Sequence, residues 1–197
     1  MDTGFKVLGA EEDIVVLEIG TYYTKCGIGK ETFPRSVFKN PPGLLSLTHS
    51  SPKEAYYEVL RDFLNLIYFH KVQVNPKESV TIISEALMAP RGKIEAIVQI
   101  LFEDLQVVGV CLMLEESLPL YTTGLYTGLM VDCGYSKTRI LPVFPIQIFE
   151  GIPMVLAYQD LDVSASSLYT KMEKSLAARN PGAFSLETLE DICVCSI

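Results

Sequence analysis

The chain has 197 residues and a formal net charge of −8, with 49% hydrophobic and 20% charged residues. That composition can fill the core of one domain or two small ones. It leaves no basic stripe to neutralise the phosphates of a nucleic acid, so that partner is not expected. No apolar run reaches the ~18 residues that span a bilayer, and Met1-Asp-Thr-Gly-Phe-Lys6 lacks the basic-then-apolar order of a secretory leader, so neither membrane insertion nor export is expected.

In chain order, residues 14–19 and 24–29 read as two strands joined by the turn Gly20–Tyr23. The stretch from Pro34 to Pro52, broken at Asn40-Pro-Pro-Gly43, reads as loop. From Lys53, Tyr56, Leu60, Phe63, Leu64, Ile67 and Tyr68 recur at spacings of three and four, which predicts a helix. Ser79–Ser84 reads as a strand buried on both faces, and a second helix starts near Arg91 with Ile94, Ile97, Val98, Leu101 and Phe102 on its apolar stripe. A strand over 107–112, a helix over 115–123, strands over 126–132, 138–149 and near 152–157, and a helix over 164–178 with Leu168, Met172 and Leu176 inward complete the pattern. Strands alternating with helices imply an α/β layered fold with a mixed sheet.

Two of these segments share a design. In Glu18-Ile-Gly20-Thr21-Tyr22-Tyr23-Thr24-Lys25 and again in Asp132-Cys-Gly134-Tyr135-Ser136-Lys-Thr138, an apolar strand ends in an acid, and a Gly two positions later opens a hydroxyl-bearing turn. Gly lets backbone N–H groups crowd an anion, the acid can hold a hydrated cation, and Ser or Thr adds a donor. Either segment alone is a weak signal. As a pair they point to two loops serving one phosphate chain. The same residues can merely fix Gly turns by hydrogen bonding to the backbone.

Other candidates carry less. His49 and His70 have no Cys, Asp or second His at ligand spacing, so no metal site is expected there. Cys26, Cys111 and Cys133 are isolated, and Cys193 and Cys195 are too close for a C-x-x-C pair, which reads as reduced thiols. Ser164, Ser166 and Ser167 have no partner base and read as a solvated face or a helix cap.

Lys25-Cys-Gly27-Ile-Gly29, Phe33-Pro-Arg35, Val74-Asn-Pro76, Glu85-Ala-Leu-Met-Ala-Pro90, Ile100-Leu-Phe102-Glu103, Leu118-Pro-Leu-Tyr121, Asp132-Cys-Gly134 and Glu150-Gly151 occur in an order that resembles the amino-terminal half of the actin superfamily. Within it, Asn75-Pro76, Asp132-Cys-Gly-Tyr135 and Glu150-Gly-Ile-Pro153 are most similar to the divergent actin-related proteins at the pointed end of dynactin. The resemblance implies an actin-like (ribonuclease H-like) ATPase fold, with mixed five-stranded-type sheets flanked by helices. Residues 1–124 would form a first lobe and 125–197 the amino-terminal part of a second, incomplete one, with the two turns facing each other across a nucleotide cleft.

By the same resemblance, Gly20, Thr21, Tyr22, Lys25, Asp132, Gly134 and Ser136 stand at a nucleotide site, and Glu18 and Asp132 stand where the family places two aspartates around magnesium. The departures argue against turnover. Tyr22 stands for a glycine, Tyr135 for an acid, Ser136 for a glycine, Glu115 for the water-positioning glutamine, Arg139 for its accompanying histidine and Ala165 for a glycine. Misplaced positioning groups each cost orders of magnitude in rate. The site therefore reads as vestigial, with no catalytic residue, and ATP or ADP with magnesium is expected only in a complete chain.

The stretch from about 39 to 53 is shorter than the loop with which polymerising actins plug into the next subunit. The implied role is a non-catalytic cap of a short actin-like filament in the cytoplasmic cytoskeleton. Its partners would be filament subunits and other pointed-end subunits of dynactin, and indirectly dynein. The alternatives are a nucleotide-binding ATPase switch and a poorly stable shortened isoform. Extra residues near 144–148 have no account beyond a lengthened hairpin.

Overall fold

A computed structural model describes residues 13–125, 127–145, 153–155 and 157–179. The chain divides into two compact units, Met1–Leu118 and Pro119–Ile197.

The first unit is a five-stranded mixed sheet. Its strands are β1 (Asp13–Ile19), β2 (Tyr23–Ile28), β3 (Ser36–Lys39), β4 (Ser79–Glu85) and β5 (Gly109–Leu114), in the order β3-β2-β1-β4-β5. β1 runs antiparallel to β2 and parallel to β4, which in turn runs parallel to β5. Val15, Leu17 and Ile19 alternate along β1 toward one face and are buried, while Val16 on the other face is partly exposed. β4 is an interior strand and has no exposed residue, as expected of a strand covered on both faces.

α2 (Lys53–Leu66) buries Tyr56, Leu60, Phe63 and Leu64, the stripe that its three-and-four spacing predicts. It continues without a break into a wider π-helical stretch, Ile67–Val72. α3 (Arg91–Gln99) likewise runs on into Ile100–Asp104. Leu17, Leu60, Leu64, Ile67, Tyr68, Ile83, Ile97, Ile100 and Leu101 are fully buried between helices and sheet. Each such side chain stabilises the fold by about 1.5–3 kcal/mol, so the helical layer holds this face of the sheet. Within the core the Tyr68 hydroxyl lies 2.5 Å from Thr81 Oγ1. Phe102, expected on the inward stripe, is exposed instead. Ala96 and Ile100 are buried beside Ile97 and Leu101, so the inward stripe is rotated from the expected one and leaves Phe102 outside it.

Pro34–Pro52 departs from the loop reading. It holds edge strand β3 and a one-turn helix, α1 (Pro42–Leu45), whose Leu44 is buried. A four-residue strand bounded by Arg35 and Asn40-Pro41 is too short to show a period of two. It forms because Tyr23, Thr24, Lys25 and Cys26 of β2 offer a paired edge.

In the second unit, α4 (Leu118–Thr123) precedes β6 (Gly128–Cys133) and β7 (Thr138–Pro145). β8 (Pro153–Val155) and β9 (Gln159–Leu161) pair with β7 at opposite ends of that strand. α5 (Ala165–Arg179) follows. β9 was not expected, because its Gln-Asp-Leu sequence has no apolar alternation. The reading of Leu168 and Met172 as inward is corrected, since both are substantially exposed. Residues 146–148, the turn at Glu150-Gly151 and the stretch 187–197 lie outside the described residues.

Candidate functional site: two hairpin turns of like architecture

The first turn joins β1 to β2. Gly20 N–H donates to the Tyr23 carbonyl at 3.1 Å and closes the loop. Glu18 and Lys25 are cross-strand partners in the antiparallel register, and Lys25 Nζ donates to Glu18 Oε1 at 2.7 Å. The second turn joins β6 to β7 in the same way. Gly134 N–H donates to the Lys137 carbonyl at 3.0 Å, Asp132 is opposite Arg139, and Arg139 Nη1 lies 3.3 Å from Asp132 Oδ2. Acid, glycine and cation therefore fall at the same steps in both hairpins. The pairing of each acid with a cation across the strands is a feature that residue spacing alone does not reveal, because it depends on register.

Each turn is also held by its carbonyl groups. In the first, the buried Asn40 donates from Nδ2 to the carbonyls of Gly20 at 2.8 Å and Thr21 at 3.3 Å. Its backbone N–H reaches the Tyr22 carbonyl at 2.8 Å, and its Oδ1 accepts from the buried Thr24 hydroxyl at 2.6 Å. In the second, Ala165 N–H donates to the Gly134 carbonyl and Ser166 N–H to the Tyr135 carbonyl, both at 3.1 Å. These are the first amides of α5, normally left without intrahelical partners. Ser164 is the cap of that helix: Ser167 N–H donates to Ser164 Oγ at 3.2 Å, and Ser164 N–H to Ser167 Oγ at 3.0 Å. Of the two readings of this serine cluster, the cap is the one observed.

Around the first turn, the Tyr22 and Tyr23 rings meet edge to face at 5.0 Å, and Lys39 Nζ sits 5.4 Å from the Tyr22 ring centre. Beside the second, Lys137 Nζ donates to Asp160 Oδ2 at 2.6 Å, and the Tyr158 hydroxyl donates to Asp160 Oδ1. Those two donors, with Lys137 foremost, hold the Asp160 carboxyl below the usual carboxylate range. Glu116, next to the expected glutamine position at Glu115, is buried and accepts at both oxygens from Leu87 N–H at 3.2 Å.

Of the residues expected at a nucleotide site, Gly20, Thr21, Tyr22 and Lys25 share the first hairpin, and Asp132, Gly134 and Ser136 share the second, with the proposed metal ligands Glu18 and Asp132 one in each. In each turn the carboxylate is engaged by a lysine or arginine, and the glycine N–H is directed into the hairpin. Among the described residues, no group of three or more His, Cys, Asp or Glu side chains converges as a metal site. No helix among them is long and apolar enough to cross a membrane. Sequence reasoning missed Asn40 and Lys93. The only local sign of Asn40 is an amide-bearing residue before a Pro-Pro pair, and Lys93 gives none.

A family model described as Actin matches residues 55–188, more than half of the chain. The chain is similar to actin-related protein 2 of Acanthamoeba castellanii, 26% identical over 198 residues covering 84% of this chain and 50% of that protein. It is 28% identical over 195 residues to actin-related protein 10 of Dictyostelium discoideum, covering 82% of this chain and 39% of that protein. With actin-related protein 2 of Arabidopsis thaliana it shares 26% identity over 163 residues, 67% of this chain and 42% of that protein. The chain spans half or less of the length of these curated relatives.

Proposed function

Because the chain belongs to the actin family, with the mixed five-stranded sheet and flanking helices of that fold, we propose that it is a non-catalytic actin-related subunit of the cytoplasmic cytoskeleton. In this reading it caps the pointed end of the short actin-like filament of dynactin and so supports dynein-driven movement on microtubules. Its partners are filament subunits and the neighbouring pointed-end subunits.

One observation carries the reading. The stretch between β3 and α2, where the family resemblance implies a plug for the next subunit, is folded back on its own unit. Leu44 is buried, Tyr56 donates its hydroxyl to the Thr48 carbonyl at 2.8 Å, and His49 Nε2 lies 3.1 Å from the Met88 carbonyl. Thr48 and Ser51 close a further turn at 2.9 Å. A short segment tied to its own unit at these points is not free to extend as a plug, and a subunit without a plug ends a filament. The cations engaged with Glu18 and Asp132 support the vestigial reading of the nucleotide turns.

The rival reading, a nucleotide-gated switch, draws on the like architecture of the two hairpins. Thermal unfolding with and without MgATP separates them. Ligand binding to the folded state alone raises stability as RT ln(1 + [L]/Kd). The capping reading expects no shift up to about 1 mM MgATP. A shift abolished by Lys25→Ala would establish the rival.

A further inference from the structure

Lys93 lies in the first turn of α3, far in sequence from Gly20, yet its ammonium donates to the Ile19 carbonyl at 2.7 Å. It is also ion-paired with Glu85 at the end of β4, 2.8 Å from Oε1 and 3.1 Å from Oε2. Both side chains are nearly buried, at 12% and 8% exposure. Ile19 is the last residue of β1, so its carbonyl belongs to the peptide that enters the first turn. A trans peptide is planar, with C=O and N–H pointing in opposite directions. Holding the Ile19 oxygen toward Lys93 therefore aims Gly20 N–H the other way, at the Tyr23 carbonyl it bonds. Glu85 fixes the ammonium from the neighbouring strand, so the orientation of the turn is referred to the sheet and to α3 together.

We propose that Lys93, held by Glu85, is a positioning residue for the first turn: it sets the plane of the peptide entering Gly20 and thereby the orientation of the Gly20–Tyr23 turn. That orientation does not depend on the vestigial-site reading above and is measured without ligand.

The experiment is amide hydrogen exchange by NMR on the whole chain, comparing Gly20 with the buried Ile83 in interior strand β4 as a reporter of overall stability. Lys93→Met removes donor and charge at similar length, and Lys93→Arg keeps both. The double variant Lys93→Met with Glu85→Gln strands no charge and serves where the single variant does not fold. Expected is a fall of about tenfold or more in Gly20 protection relative to Ile83 in the methionine variants, largely restored by arginine. Equal losses at both amides, or an unchanged ratio, would make Lys93 a stabilising ion pair only and would overturn the proposal.

Discussion

Asn40→Ala is the sharpest perturbation of the first turn. The side chain makes three hydrogen bonds: to the Gly20 carbonyl at 2.8 Å, to the Thr21 carbonyl at 3.3 Å, and from the Thr24 hydroxyl at 2.6 Å. Asn40 is 4% exposed and Thr24 fully buried, so water cannot readily replace what is lost. Each bond is worth about 0.5–1.5 kcal/mol net, and a buried hydroxyl left without its acceptor adds a desolvation cost, giving about 2–4 kcal/mol in total. The backbone bond from Asn40 N–H to Tyr22 survives the substitution and limits the damage. Urea unfolding followed by far-UV circular dichroism would read this as a lower midpoint with an unaltered slope. Thr24→Val alone should cost about 1 kcal/mol, and the double variant less than the sum by a similar amount, because the two side chains share one bond. An Asn40→Ala cost below about 0.5 kcal/mol, the scale of a neutral surface change, would refute the account of how this turn is held.

Further outcomes follow from the same geometry. Gln73 sits at φ 57° at the end of the π-helical stretch, a region that costs a residue with a Cβ about 1 kcal/mol, so Gln73→Gly should raise the unfolding midpoint. Burial raises the Tyr68 hydroxyl pKa, with its bond to Thr81 opposing. A raised folded pKa means stability intact below the ordinary tyrosine value of about 10 and lost as pH climbs from there through the folded value. Tyr68→Phe should therefore flatten the alkaline part of the stability curve, and an unchanged curve would deny that burial. Desolvation likewise raises the Cys26 thiol, with Lys71 opposing. Iodoacetamide should label the exposed Cys111 and Cys133 well before Cys26, as mapped by mass spectrometry; equal rates would contradict the first-unit core.

Much of the fold is legible in the residues because the strongest signals are local and periodic. The stripe from Tyr56 to Tyr68 and Ile83 of β4 face one contiguous core, so pattern and structure coincide. Legibility fails where tertiary contacts override the local pattern. Ser36–Lys39 becomes a strand because β2 supplies an edge, and Gln159–Leu161 because β7 does. Phe102, Leu168 and Met172 are exposed although their spacing marks an inward stripe. The candidate site divides similarly. Acid, glycine and hydroxyl are visible as a motif, whereas the cross-strand cations need the register. The holds by Asn40, Lys93 and the first amides of α5 join residues that only the folded chain brings together.

The central claim is that this chain ends a filament without turning over nucleotide. The direct measurement is retention of the purified protein on actin-like dynactin filaments stripped of their pointed-end subunits, with ATP turnover followed in the same sample. The account predicts saturable retention at one filament end with no added phosphate release. Absence of retention together with ATP turnover lost in Lys25→Ala would contradict it.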